Sequence, residues 1–564
     1  MTYLIILFLS FLITVITTPY LINLLTKNDL LDKPNGEKRR MHTEPVPRMG
    51  GIIIFIVVIF ITSVFYQDIY SRKFFITGAF IVFGLGLLDD IKGVSWQIKF
   101  FVQSVAVIFL ILSFNSHNFE VIKLLGYTLP NGFNYLFVFI LILGILNSFN
   151  LMDGLDGLVL GFSLILASMC FLMTIGKPST FLPYLSSAII GTTLGLLKFN
   201  ANPARIFLGD SGSLILGYFS IGLVFSISGN VFDSNGLNTK YTSNTIDLTF
   251  VIIAFAIPIT DTLRVMFVRL KERKNPFLPD TNHLHHILYS NKIRHKTVVL
   301  LIHLFSIVFV LLALYYMFIS KITALILLFL FVIVLLNIQR IIEFILRKEN
   351  LLAYGRMYKK IPAKLPVIYK KVLLPVISVF LFLLFAFLII NEVRESQSVY
   401  VYFLFFLIPF LLYSGKNIKM NNYYAELLVF INIIMFFIIT GLNGFFYKPY
   451  AFPAVGHINI NQIFILTLSG MIILFVLFKE RIANIREQFL TGADLTIAVL
   501  ILFIYIAVQL INLPASYKIS DTLLRSYLVF LLYKIVVVIK PRIHFSLYFI
   551  SFLAAIIAVL KSLF

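Results

Sequence analysis

Long apolar segments recur from one end of the 564-residue chain to the other, and they constrain its fold more than any other feature. Many approach the roughly 20 residues that an α-helix needs to cross the hydrocarbon core of a bilayer. Hydrophobic residues make up 60% of the sequence and charged residues 13%, with a mean hydropathy of +0.98. This composition excludes an ordinary soluble domain. We therefore predict an all-α, polytopic integral membrane protein with about 18 transmembrane helices.

The basic residues, which give a net charge of +21, are concentrated in alternate loops. Residues 27–48, 264–296 and 347–371 are rich in Lys and Arg, whereas 114–134 and 441–460 contain few. Cytoplasmic loops of membrane proteins carry such an excess, so the pattern indicates orientation. The charge does not require a nucleic-acid partner, and we expect the first helix to run from outside to inside.

Seven aspartates lie at or near the ends of apolar segments, in a chain with only 25 acidic residues. They are Asp89, Asp90, Asp153, Asp156, Asp210, Asp261 and Asp280. The predicted topology places all of them toward the cytoplasmic face. Because ionised carboxylates at a membrane are costly, they mark functional sites by default. We predict a cation-binding site for an anionic substrate at this face.

Two acidic motifs carry more chemistry than an ordinary loop. The pair Asp89-Asp90 is compatible with a solvated helix end, but adjacent carboxylates repel and usually share a cation. Segment 147–157 carries amides and carboxylates every three residues, and a helical repeat would stack several on one face. They are Asn147, Asn150, Asp153 and Asp156. Glycines in this segment permit sharp turns or the close approach of a phosphate.

Three further segments each allow two interpretations. Residues 200–213 resemble a helix start with Asp210 or Ser211 as N-cap, and a helix N-terminus also favours bound anions. The histidines of residues 283–286 suggest zinc, but the chain offers no second group to complete a tetrahedral site. Their alternative role is a clamp on phosphate. Arg48, in a proline- and glycine-rich segment, either holds a phosphate or sets the topology.

Together these residues indicate phosphoryl transfer. Carboxylate oxygens suit Mg²⁺, and Mg²⁺ suits bridging phosphates. Amides and an aromatic ring, such as those of Asn200 and Phe207, can hold a base and a ribose. A site at the membrane edge meets a soluble nucleotide from one side and a lipid from the other. Phosphoryl transfer needs mainly positioning and charge neutralisation, which this set can supply.

Five motifs, in order, resemble those of the polyprenyl-phosphate N-acetylhexosamine-1-phosphate transferase superfamily, glycosyltransferase family 4. They occupy residues 47–51, 88–93, 147–158, 207–217 and 280–288. The resemblance implies transfer of an N-acetylhexosamine-1-phosphate, with GlcNAc-1-phosphate as first choice, from a UDP-sugar to undecaprenyl or another polyprenyl phosphate, releasing UMP. It also implies Mg²⁺, with Mn²⁺ as an alternative, and a site facing the cytoplasm of a bacterial inner membrane.

The histidine motif is similar to the branch that uses UDP-N-acetylhexosamines and initiates O-antigen, enterobacterial common antigen or teichoic-acid-type glycans. The phospho-MurNAc-pentapeptide transferases carry three consecutive histidines, which Leu284 interrupts here. That peptidoglycan enzyme remains one alternative. A polyprenyl-lipid transporter or flippase is another, although its charged groups should lie near the bilayer midplane.

The resemblance assigns roles to individual residues. The predicted catalytic residues are Asp89, Asp90, Asp153, Asp156, His283, His285 and His286. The predicted substrate-binding residues are Arg48, Lys99, Asn147, Asn150, Asn200 and Phe207. Asp210 and Asp153 are the predicted Mg²⁺ ligands, and Asp261 and Asp280 are expected to position the histidine loop.

The chemistry is confined to the first half of the chain. We predict a transferase domain of about ten to eleven helices over residues 1–345, a basic cytoplasmic linker over 346–371 and a multi-helix membrane extension over 372–564. The extension carries no comparable motif, so a scaffold, a docking module and a second activity all stay open. The expected partners are the UDP-sugar, the lipid phosphate and the membrane, with a homodimer as a further option.

Overall fold

The computed structural model describes about two thirds of the chain and is helical throughout most of it. The described residues are 2–32, 45–115, 121–130, 133–175, 181–228, 245–273, 283–290, 293–338, 340–341, 369–390, 429–430, 433, 449–452, 456–483, 490–511, 519–539 and 546–547. Its α-helices are α1 (Thr2–Lys27), α2 (Gly51–Phe65), α3 (Lys73–Lys92), α4 (Trp96–Asn115), α5 (Phe133–Met152), α6 (Leu158–Thr174), α7 (Leu182–Asn200), α8 (Gly209–Ser228), α9 (Leu248–Ala254), α10 (Ala256–Lys271), α11 (Leu284–Ser290), α12 (His295–Phe318), α13 (Lys321–Leu336), α14 (Leu374–Ile390), α15 (Ile460–Ala483), α16 (Gly492–Ile511) and α17 (Ile519–Ile539).

The chain forms two compact units. The first comprises Met1–Lys348 and Thr491–Asn512, and the second comprises Glu349–Leu490 and Leu513–Phe564. Helices α1 to α13 therefore share a unit with α16, which comes from the predicted C-terminal extension. The functional boundaries predicted at residues 345 and 371 stay predictions.

The described helices confirm an all-α, polytopic membrane protein. Nine of them are long and apolar enough to cross a membrane, and α9 with α10, bent by 79°, would make a tenth span. The expected total of about 18 spans concerned the entire chain and stays a prediction.

Helix α8 is the centre of the first unit. Its most apolar stretch is 94% buried, compared with 33% for the span containing α3 and 28% for α4. Helices α2, α3, α5 and α6 pack around α8. Helices α2 and α3 approach α8 closely because glycine has no side chain: a Cβ at Gly51 or Gly86 would overlap the backbone around Ser211. Small residues are the usual means by which membrane helices pack tightly.

Short strands lie in the loops between helices. β1 (Leu31–Asp32) pairs antiparallel with β2 (Val46–Pro47), just before α2. β3 (Val121–Leu124) pairs antiparallel with β4 (Tyr127–Thr128) and parallel with β5 (Thr245–Asp247). In the second unit, β6 (Pro449–Phe452) and β7 (Gly456–Asn459) form a hairpin before α15.

The ends of several helices lie close together at one end of the first unit. The ends of α3 and α5 and the start of α4 each reach the first five residues of α8 by side-chain hydrogen bonds. The end of α7 contacts the start of α6, and the start of α2 bonds to the backbone just before α8. Residues far apart in sequence are therefore neighbours at this end.

Candidate active site

The first turn of α8 is held by a carboxylate from α3. Asp90 Oδ1 accepts the Asp210 backbone N–H at 2.8 Å, and Oδ2 accepts the Ser211 N–H at 3.0 Å and the Ser211 hydroxyl at 2.7 Å. These amides have no partner within the helix, and negative charge is favourable at this position. The Asp90 side chain is fully buried beside Arg48. Asp90 thus caps α8 from a neighbouring helix, while its predicted catalytic part stays a prediction.

Two positively charged side chains, those of Lys99 and Arg48, lie among the carboxylates at the end of the bundle. Lys99 Nζ is 2.5 Å from Asp89 Oδ2 and 2.8 Å from Asp210 Oδ2. Arg48 approaches Asp90 and Asp210, each at 3.5 Å. The backbone around Arg48 is fixed, because Pro47 accepts the Phe207 N–H and Gly50 donates to the Phe207 carbonyl. The two basic side chains that we predict to bind substrate, Lys99 and Arg48, therefore both contact Asp210, the predicted metal ligand.

Asp153 follows the last turn of α5 and has an unfavourable charge environment. Burial first, and the negative charge of Asp210 second, raise the pKa of Asp153 to about 8. Of the four charged residues acting on it, only Arg48 is positive. For Arg48 itself, burial opposes the charge, but neighbouring carboxylates outweigh burial and raise the pKa. A carboxylate short of positive charge beside a second carboxylate is a place for a cation.

These residues fit a weakly held divalent cation rather than a complete protein cage. Among the described residues, no three acidic, histidine or cysteine side chains are arranged as a metal shell. The reason is that Asp90 is occupied by amides and Asp89 by Lys99 and the Val94 N–H. Asp210 is shared with Lys99 and Arg48, so Asp153 and part of Asp210 are left for a metal. Mg²⁺ typically takes one or two carboxylates and completes its shell with water and phosphates.

A second cluster surrounds Asp156, in the loop between α5 and α6. Asp156 Oδ2 accepts hydrogen bonds from the Asn202 amide at 2.9 Å and the Ala204 N–H at 3.3 Å. Its own N–H donates to His295 Nε2 at 3.3 Å. Asn200 accepts the Gly157 N–H and donates to a backbone carbonyl of the following loop. Asn200 therefore shapes the loop with both ends of its amide.

The histidine segment forms a third cluster, anchored by Asp261 on α10. Asp261 Oδ2 is 3.0 Å from His283 Nδ1, and Oδ1 accepts the Leu284 N–H at 2.8 Å and an Arg264 N–H at 2.8 Å. The prediction that Asp261 positions this loop thus has a geometric basis. Asp280 lies outside the described residues.

His285 lies against the loop that carries Asp153. Its ring packs between those of His283 and His286, and a Cβ at Gly154 would overlap it. Burial first, then the neighbouring His286, lower the pKa of His285 to about 3. The ring is therefore neutral near neutral pH, and its buried Nε2 has no hydrogen-bond partner among the described residues. Buried polar atoms without a partner are rare, and this one lies directly against Gly154.

The remaining predicted residues divide between the site and its surroundings. Asn150 donates to Ser213 Oγ at 3.2 Å and so faces α8. Phe207 is half-buried beside the Arg48 segment. Asn147 lies on an exposed face of α5, and no described contact brings it to the three clusters. The roles of all three residues stay predictions.

Sequence reasoning did not find His295, Asn202 or Ser211, which contact predicted site residues directly. The sequence marks Ser211 only as an N-cap candidate, and that prediction is wrong because α8 begins at Gly209. Ser211 lies inside the first turn, where its N–H and hydroxyl donate to Asp90. His295 begins α12 beside Lys296, where it resembles an ordinary basic residue at a helix start. Its position in space, and not its local pattern, relates it to Asp156.

Comparison with known proteins places this geometry in a family. A family model described as glycosyl transferase family 4 matches residues 73–229. A Bacillus subtilis protein named probable undecaprenyl-phosphate N-acetylglucosaminyl 1-phosphate transferase is 34% identical over 304 residues, covering 53% of this chain and 81% of that protein. The chain belongs to glycosyl transferase family 4. The resemblance inferred from the five motifs is thereby confirmed.

Other relatives of this family 4 chain agree with the inferred branch. A Thermotoga maritima protein named undecaprenyl-phosphate alpha-N-acetylglucosaminyl 1-phosphate transferase is 32% identical over 309 residues, covering 54% of this chain and 89% of that protein. A Mycobacterium leprae protein named decaprenyl-phosphate N-acetylglucosaminephosphotransferase is 30% identical over 291 residues, covering 47% of this chain and 72% of that protein. About half of the chain thus has counterparts among these relatives.

Proposed function

We propose that this family 4 chain transfers N-acetylglucosamine-1-phosphate from UDP-N-acetylglucosamine to undecaprenyl phosphate or another polyprenyl phosphate. An oxygen of the lipid phosphate attacks the sugar-linked phosphorus of the donor. The bond from that phosphorus to the bridging oxygen breaks, and UMP leaves. The product is a polyprenyl diphosphate sugar that starts a lipid-linked surface glycan. The names of the curated relatives support both the sugar and the lipid.

One observation carries the proposal: Asp89, Asp153 and Asp210 converge with Lys99 and Arg48 at one end of a membrane bundle. The reaction brings together a pyrophosphate and a lipid phosphate, which repel each other. Positive groups fixed in place lower that repulsion without reorganising during the reaction. The carboxylates hold both cations in position, so the site is ordered before either substrate binds.

We assign a divalent cation, Mg²⁺ or alternatively Mn²⁺, to Asp210 and Asp153. When bound, it would neutralise charge on the donor pyrophosphate. Lys99 is partly exposed and held by Asp89, so it is placed to meet an incoming phosphate. A lipid phosphate is already largely ionised near neutral pH, so Asp89 orients this encounter and need not remove a proton.

The other two clusters are assigned to the rest of the donor. Neutral His285, with its unpartnered Nε2, and His283 would contact the pyrophosphate or the sugar. Asp156, Asn200 and Phe207 would hold the nucleoside. We further propose that this end of the bundle faces the cytoplasm of a bacterial inner membrane, where UDP-sugars are available. The surface glycan, and the option of a homodimer, stay open predictions.

The test is a transfer assay in membranes that contain the full chain. UDP-GlcNAc, Mg²⁺ and undecaprenyl phosphate should yield UMP and a lipid-linked sugar, and UDP-GalNAc and UDP-MurNAc-pentapeptide donors should react more slowly. Asp210→Asn should abolish turnover, whereas Asp68→Asn, which changes an exposed acid at the opposite end of α3, should not. Transfer at the wild-type rate by Asp210→Asn would refute the metal assignment, and preference for the pentapeptide donor would refute the sugar.

A further inference from the structure

Helix α16 belongs to the transferase unit although it lies far beyond residue 229, where the family match ends. It packs against α12 and α6. One face of it is buried, from Ala493 and Asp494 through Thr496 and Val499 to Ala507. A membrane helix that only anchored an extension would be expected to present that face to lipid.

The first turn of α16 is fixed by a reciprocal cap. Asp494 Oδ2 accepts the Thr491 N–H at 2.7 Å and the Thr491 hydroxyl at 2.8 Å. The Asp494 N–H in turn donates to Thr491 Oγ1 at 3.2 Å. Such caps fix where a helix begins and how the chain enters it. The cap therefore holds Gly492 and its neighbours in a defined place.

That place is the wall of a cavity beside Asp156. The space is small, with room for about one water, and it is partly open to solvent; its polar lining includes Asp156, Asn202 and His295. Gly492, Leu495 and Thr496 of α16 also line it. His295 uses Nε2 to accept the Asp156 N–H, so Nδ1 carries the proton of the neutral ring. Nδ1 is buried and has no partner among the described residues.

A second connection runs through a buried histidine on α12. His303 Nε2 lies 3.1 Å from the carbonyl of Leu158, which can only accept, so Nε2 is the donor. Nδ1 is then an acceptor, and it lies 3.4 Å from the hydroxyl of Thr496, which shares its single proton with the Gly492 carbonyl at 3.1 Å. Leu158 is the first residue of α6, two positions after Asp156. The His303 ring also packs so closely on Gly161 that a Cβ there would overlap it.

We propose that α16 is a positioning element of the transferase site. It closes the cavity beside Asp156, and through Thr496 and His303 it fixes the start of α6. The inference rests on the proposed function, in which Asp156 helps to hold the nucleoside of the donor. The ligand that depends on α16 is then the nucleotide end of the UDP-sugar. The C-terminal extension thereby contributes to donor binding rather than only to membrane attachment.

The first test fills the cavity in the full-length chain. A Cβ at Gly492 would lie 3.7 Å from Ala201 and Asn202, which is ordinary contact, so Gly492→Ala should bind the donor normally. Gly492→Leu adds a branched side chain that reaches into the space. We expect it to raise the KM for UDP-GlcNAc and the inhibition constant of UMP about 10-fold or more. The KM for undecaprenyl phosphate should stay unchanged.

The second test removes one hydroxyl without changing shape. Thr496→Val leaves the buried His303 nitrogen unpaired and should raise the donor KM about threefold, the scale of one hydrogen bond. Thr496→Ser restores the hydroxyl and should restore the KM. A merely structural role would instead lower the thermal midpoint and kcat together, with no selective effect on the donor.

The outcomes separate the two ideas. If wild-type protein makes no lipid-linked sugar from any UDP-N-acetylhexosamine, the proposed function fails, and direct UMP binding to the same variants still tests the cavity. If wild type is active but Gly492→Leu and Thr496→Val keep the wild-type donor KM and UMP affinity, α16 does not position the donor. Equal losses toward donor and lipid, or no rescue by Thr496→Ser, would also overturn the inference.

Discussion

Replacement of Asp90 by Asn should destabilise the transferase unit, unlike replacement of its catalytic neighbours. The carboxylate accepts two backbone N–H groups and one hydroxyl from the start of α8. An amide oxygen can take the place of only one carboxylate oxygen, and the NH₂ group then faces the other N–H. At least one charge-assisted bond is lost, about 1.5–3 kcal/mol. Loss of the negative charge at the helix start adds about 0.3–1 kcal/mol.

The expected total is therefore about 3 kcal/mol. The thermal unfolding midpoint of the detergent-purified variant should be lower than that of the wild type by several degrees. Unfolding can be followed by the reactivity of the buried Cys170 thiol, which becomes accessible as the protein unfolds. Asp153→Asn provides the contrast: burial already keeps a proton on Asp153 when no cation is bound, so this variant should abolish turnover with little change in midpoint. Asp90→Glu is a useful second variant because its longer side chain has little room. Even a Cβ on Gly209 would overlap the Asp90 carboxylate.

Two results would refute this reasoning. An unchanged midpoint for Asp90→Asn would show that the cap across helices contributes little. A selective loss of turnover with full stability would instead make Asp90 a direct participant in the reaction, as the sequence first suggested. The two measurements must be made on the same preparation, because a partly unfolded sample loses activity for trivial reasons.

Three further outcomes are expected. In EDTA, where no cation offsets burial, the raised pKa of Asp153, about 8, means that the folded protein keeps a proton that the unfolded chain releases near pH 4. The contribution of Asp153 to stability should therefore fall as pH rises from 4 to 8, and Asp153→Asn should make the overall fall shallower; parallel pH profiles of the unfolding midpoint would contradict this. Asp261→Asn should lower kcat about 10-fold by loosening the histidine loop, which transfer rates will show. Gly154→Ala should lower turnover by roughly 100-fold because its methyl overlaps His285, whereas Gly144→Ala, with open space around it, should be neutral in the same assay.

The sequence predicted those parts of the site that follow from local pattern. Apolar segment length predicts a membrane bundle, and motif residues at segment ends predict where the polar groups gather. Asp89, Asp153 and Asp210 do meet at one end, together with Lys99 and Arg48. The prediction succeeded because successive spanning helices alternate in direction. The end of one helix and the start of the next therefore lie on the same face of the membrane.

The local sequence pattern does not show which role each of two adjacent carboxylates has. Asp89 and Asp90 look equivalent in sequence, yet one bonds Lys99 and the other caps α8. Successive residues on a helix point about 100° apart, so their partners are set by packing between helices. The same limit hid the place of α16, because no periodicity tells which distant helix it will contact.

The loop of residues 153–157 explains why a site made of three clusters should act as one. Gly154 packs on His285, Asp156 bonds His295, and Gly157 bonds Asn200. The loop has little secondary structure of its own, so these neighbours largely determine where Asp153 points. Changes at the histidine segment or at the cavity beside Asp156 should therefore weaken cation binding, although neither supplies the ligands proposed for the cation. Mg²⁺ affinity measured in Gly154→Ala and Gly492→Leu would separate this coupling from independent subsites, which would leave that affinity unchanged.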